Sequence, residues 1–88
     1  MEIESIDISD EELAVFYKTI GQNVKRLRKE RNYTQMKLAL AIGHNSVGHI
    51  AKSELHKYNR HFSLEHLYKI SRVLNVSLKD LVDLDSNL

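Results

Sequence analysis

Across most of the 88 residues, apolar side chains return every third or fourth position, and no proline interrupts them. Such a chain, with only three glycines, has few ways to fold other than as packed helices: the period matches one helix face, and the strong breakers are nearly absent. An all-α fold follows, as one domain with one modest core. There is no cysteine, so neither a disulfide nor a cysteine-based zinc site supplements that core. Stability must come from helix packing, with a dimer interface as an optional further source, and a reducing compartment fits. The longest uninterrupted apolar run, Leu38 to Ile42, is far short of the roughly 20 residues of a membrane span. The acidic start Met1-Glu2-Ile3-Glu4 has the wrong sign for a secretory signal. A cytoplasmic protein with no membrane partner is expected.

Cap residues divide the chain further. Ser9 with Glu12 reads as a capping box opening a first helix, whose stripe is Leu13, Phe16, Ile20, Val24 and Leu27. Gly21 lies inside that stripe, where it is expected to weaken or kink the helix. The stop falls near Asn32, a residue that tolerates the left-handed conformation of helix ends. Thr34 caps a short second helix carrying Met36, Leu38, Ala39 and Ile42 and ending at Gly43. A turn at His44-Asn45 leads to Ser46, the cap of a third helix with Val47, Ile50, Glu54 and Leu55. A polar loop, Lys57 to Phe62, precedes a fourth helix capped by Ser63, with Leu64, Leu67, Ile70, Val73 and Leu74 as its face and Asn75 as its end. Ser77 and Asp80 form a second capping-box pattern and open a short fifth helix with Leu78, Leu81 and Val82. Residues 85–88 are expected to fray.

The net charge of +1 hides an uneven distribution. Residues 1–19 carry six acidic side chains against Lys18, a net −5. Residues 20–62 hold nine basic side chains against Glu30 and Glu54, a net +7, and the remainder is −1. A basic centre on a near-neutral chain suits a polyanionic partner, although a solvated helix surface would look the same.

Two short helices joined by a glycine-containing turn, one opening Thr34-Gln35 and the next capped by Ser46, form the unit that sets its second helix in the DNA major groove. Three segments, Ile20 to Arg28, Tyr33 to Ala39 and Leu67 to Leu78, resemble in order the lambda-repressor-like helix-turn-helix family of phage Cro and repressor. The resemblance covers residues 20 to about 83 and implies a five-helix DNA-binding domain. On this reading residues 1–19 are an acidic, partly helical N-terminal extension, 20–84 the DNA-binding domain and 85–88 its tail. It further implies a transcriptional regulator of repressor type that reads an inverted-repeat operator in double-stranded DNA as a homodimer, with no cofactor and no small-molecule effector. Two apolar surfaces compete for the dimer, one with Leu13, Phe16 and Tyr17 of the extension and one with Leu81, Val82 and Leu84, while a fold of the extension back onto its own domain stays open. A phage repressor, a restriction-modification controller and an antitoxin remain open within the class, as does a protein-interaction module that has kept the fold and lost DNA binding.

The distance from Gly43 to Glu54 is one residue longer than is usual in the family, and the extra residue is assigned to the turn at His44-Asn45. Anchoring on Ile50 and Glu54, the resemblance puts Val47, Gly48 and Lys52 where base edges are read. Ser46 is then a cap and phosphate contact, and Gln35 binds phosphate and braces the third helix. Thr34, Asn45 and His49 belong to the same DNA-binding set, with His49 facing DNA or solvent. Lys57, Asn59 and Arg60 follow the third helix, where phosphate contacts are expected. Val47 suits either the core beneath the turn or a thymine methyl. Gly48 departs from good helix composition by about 0.5 to 1 kcal/mol relative to alanine. Arg28 and Glu54 resemble the arginine and glutamate that tie helix 1 to helix 3 in this family, a structural role.

His44, His49, His56, His61 and His66 miss the three-or-four spacing that sets two ligands on one helix face, so no metal site is expected. Ser46 followed by His49 is cap chemistry, and no nucleophile, base and orienter come together. An enzyme is not expected.

Overall fold

The computed structural model describes residues 3–43 and 46–85. Among them stand five α-helices and one 3-10 turn, with no strand. The helices are α1 (Asp10–Glu30), α2 (Gln35–Ala41), α3 (Val47–Leu55), α4 (Leu64–Leu74) and α5 (Leu78–Leu81), and the 3-10 turn is Lys57–Asn59. None is long and apolar enough to cross a membrane.

Each helix begins on its expected hydroxyl. The side chains of Ser9, Thr34, Ser46, Ser63 and Ser77 each accept the backbone N–H three residues on, satisfying one of the amides a helix start leaves unpaired. The complete capping box lies at Ser63, where His66 Nδ1 accepts from the Ser63 amide at 3.4 Å. Left-handed residues follow α1 at Asn32, α2 at Gly43 and α4 at Asn75, as the composition of those ends suggests.

α1 is continuous through Gly21, contrary to the expected kink. The glycine serves a close approach. A Cβ there would stand 2.5 Å from the carbonyl oxygen of Glu54 and 2.6 Å from that of Ser53, so the absence of a side chain lets α1 lie directly on the last turn of α3. The same continuity carries α1 across residues 19 and 20 without a break.

The core gathers Ile20, Val24 and Leu27 of α1, Leu38 and Ala39 of α2 with Ile42 behind them, Ile50 of α3, Leu67, Ile70 and Leu74 of α4, and Leu81 of α5. Phe62, expected in a polar loop, is buried among them. Elsewhere the apolar stripes run past the core: Leu13, Phe16, Met36, Leu55 and Leu64 are exposed. Two polar clamps close the bundle. Asn23, fully buried, donates from Nδ2 to the carbonyls of Leu81 at 3.0 Å and Asp83 at 2.8 Å. Arg31 Nε donates to Leu74 O at 2.8 Å, placing a cation at the C-terminus of α4 where the helix dipole favours one.

Candidate nucleic-acid interface

The orientation of α3 follows from what one of its faces must satisfy. Ile50, Ser53 and Glu54 are buried, and Glu54, at 1% exposure, is a carboxylate that costs several kcal/mol to bury unless fully paired. Arg28 pairs it. Nε reaches Glu54 Oε2 at 2.7 Å and Nη2 reaches Oε1 at 3.1 Å, while Nη1 donates to Tyr33 O at 2.8 Å. Gln35 Nε2 donates to the same Oε1 at 2.9 Å. Helices α1, α2 and α3 therefore meet at one carboxylate, and the brace expected of Gln35 is made.

Opposite that face, Gly48, Lys52 and Leu55 recur at four and three residues, so they share the outward side. Gly48 is exposed and Lys52 partly so. A Cβ on Gly48 would meet nothing closer than Ser46 Oγ at 3.7 Å, so the domain itself does not require glycine there. Lys52 Nζ lies 5.8 Å from the Tyr58 ring centroid and Lys57 Nζ 5.3 Å from the same centroid, within cation–π range. One exposed tyrosine thus sits between the candidate base contact and a candidate phosphate contact.

The remaining site residues divide. Thr34 and Ser46 are exposed caps of α2 and α3, and Lys57, Asn59 and Arg60 are exposed in and after the 3-10 turn. Val47 is half-buried and packs against the core. His49 is half-buried, not simply turned to solvent. Its position at the edge of the buried face of α3 turns the ring inward, with Nε2 3.5 Å from Ser53 Oγ and ring centroids 5.1 Å from His66 and 6.5 Å from Phe62. Asn45, with His44, lies outside the described residues.

The histidine spacing also concealed two clusters. His49 meets His66, and His56 and His61 lie 5.8 Å apart by ring centroids with Tyr17 stacked on both. Among the described residues no group of three or more His, Asp or Glu could hold a metal ion. Nothing in the local spacing announced these contacts, because each joins separate elements.

Short capped helices α2 and α3, locked at a buried carboxylate and offering an outward face with no core duty, define a helix-turn-helix domain. A family model described as helix-turn-helix matches residues 24–81, and the chain belongs to that family, in its lambda-repressor-like, XRE-type branch. It is similar to the HTH-type transcriptional regulator SinR of Bacillus subtilis (strain 168), 38% identical over 68 residues. That match takes in 73% of this chain and 56% of the relative, so the chain spans about half the length of the curated protein it matches.

Proposed function

We propose that this chain is a sequence-specific, double-stranded DNA-binding transcriptional regulator, a homodimeric repressor that sets α3 in the major groove of an inverted-repeat operator. The observation that carries the reading is the outward face of α3. Lys52 and Gly48 stand there without a part in the core, on a helix whose inner face is pinned through Glu54 to Arg28 and Gln35. Lys52 and Gly48 read base edges, and Ser46, Thr34, Gln35, Lys57, Asn59 and Arg60 contact phosphate, which fixes register without conveying sequence. The relative's name, a transcriptional regulator, supports the same reading.

Residues 20–84 serve as the DNA-binding unit and the acidic residues 1–19 as its extension, which phosphate would repel and which therefore lies away from DNA. The homodimer follows from the motif, since one such helix reads too few base pairs and twofold-related copies meet half-sites about 34 Å apart. Its surface is the groove where Ile8, Leu13, Val15 and Phe16 meet Leu84. There the extension and the C-terminal segment, rivals for the dimer in the sequence, form one apolar patch. Leu81 takes no part, being fully buried.

The decisive experiment is a titration with duplex DNA over a range of salt. Affinity should fall linearly on logarithmic axes, by about 10³ to 10⁵ between 50 and 200 mM for six to ten phosphate contacts. Failure to bind duplex DNA at low salt, or binding indifferent to salt, overturns the reading and favours a protein-interaction module.

A further inference from the structure

We propose that Tyr17, in the acidic extension, is a positioning residue for the loop carrying Lys57, Asn59 and Arg60, an inference that rests on the DNA-binding function proposed above.

That loop is costly to hold in shape. His56, Tyr58 and Asn59 all have positive φ, at 51°, 56° and 58°, and none is glycine. A side chain in the left-handed region carries a steric cost, and such residues persist where surrounding contacts over-determine them. Within the loop the bracing is slight. His56 Nδ1 lies 3.2 Å from Arg60 O, and the Arg60 amide donates to Lys57 O at 3.1 Å. Both bonds are local and at the surface, where water competes for them.

The long-range support comes from α1. The Tyr17 ring lies nearly parallel to His61, with centroids 3.7 Å apart and planes at 11°, and stacks on His56 at 5.4 Å and 22°. His56 and His61 are the two ends of the loop, so a single ring grips both. Phe16, its neighbour in α1, makes a T-shaped contact with Tyr17 at 5.1 Å. His61 Nδ1 is buried without a hydrogen-bond partner, so that atom adds nothing polar and the grip depends on ring contact. Between the gripped ends, Lys57, Asn59 and Arg60 are all exposed. An extension too acidic to touch phosphate thus serves DNA binding by fixing the loop that does.

Replacing Tyr17 by alanine removes the grip. Tyr17→Ala should weaken binding to cognate and random duplexes alike and reduce the salt slope by about one for each phosphate that the loop no longer reaches. In the free protein, amide exchange at Arg60 should accelerate. Tyr17→Phe keeps the ring and should bind and exchange as the unaltered protein does. His61→Ala dismantles the stack from the loop side with α1 untouched, and should reproduce both effects even where Tyr17→Ala folds poorly. Unchanged exchange at Arg60 in both alanine variants overturns the clamp, and faster exchange with an unchanged salt slope overturns its role in phosphate binding. If the unaltered protein fails to bind duplex DNA, the functional reading falls and with it the loop's role, while exchange still decides whether the clamp exists.

Discussion

Gly21 in the middle of α1 and Glu54 near the end of α3 approach so closely that a Cβ on residue 21 would stand 2.5 Å from the Glu54 carbonyl oxygen. Helix propensity alone predicts that Gly21→Ala stabilises the protein by about 0.5 to 1 kcal/mol. The contact predicts the reverse. The obstructing atoms are backbone, so α1 or α3 must shift, at a cost of about 1 to 3 kcal/mol or more. Urea denaturation decides between them, and a Gly21→Ala protein as stable as the parent would show that the close approach does not constrain residue 21.

Arg28→Ala should destabilise by about 3 to 5 kcal/mol, because it leaves the Glu54 carboxylate buried without its ion partner. In a domain of this size each kcal/mol lowers the melting temperature by about 4 to 8 °C. Gln35 alone remains on that carboxylate and cannot neutralise it. An unchanged melting temperature would show that the pair contributes nothing.

Lys52 and Lys57 share the Tyr58 ring and are assigned different work. Lys52→Ala should flatten the preference for the operator over random duplex, by about 1 to 3 kcal/mol of discrimination. Lys57→Ala should lower affinity for both and reduce the salt slope by about one. Competition binding at two salt concentrations separates the cases, and equal losses on both duplexes for both variants would overturn the assignment.

A Cβ on Gly48 would make one ordinary contact, with Ser46 Oγ at 3.7 Å, on helical backbone. Gly48→Ala should therefore stabilise the free protein by about 0.5 to 1 kcal/mol while weakening operator binding, since the added methyl stands on the face proposed to meet DNA. Thermal melting and a binding isotherm together test this. A variant that is more stable and binds undiminished would show that glycine at 48 serves neither fold nor interface.

Val15, 65% exposed on α1, lies in the apolar groove assigned to the twofold interface. Val15→Glu places a charge there without disturbing the monomer. Light scattering should find it monomeric at concentrations where the parent is dimeric, with operator affinity reduced accordingly. Deleting residues 1–19 is a poorer test because it cuts α1 in its middle. A fully dimeric Val15→Glu protein would move the interface elsewhere, and a parent that stays monomeric on operator DNA would end the dimer proposal.

The number and type of helices, and nearly all of their ends, were legible in the order of residues. Ser9, Thr34, Ser46, Ser63 and Ser77 each act on an amide three residues away, and Asn32 and Asn75 end their helices through their own backbone; such rules are complete within one turn. The Arg28–Glu54 pair came from resemblance rather than from any local rule, since 26 residues separate the partners. Long-range packing settled the rest. It turned His49 toward His66, exposed Leu13 and Phe16 on the stripe that buries Ile20 and Val24, and stacked Tyr17 on His56 and His61. It also made Gly21 a point of contact instead of a kink. Periodicity says which side of a helix is apolar, but not where along its length a neighbour ends. That boundary depends on how distant segments pack, and it divides α1 into a core half and an exposed half.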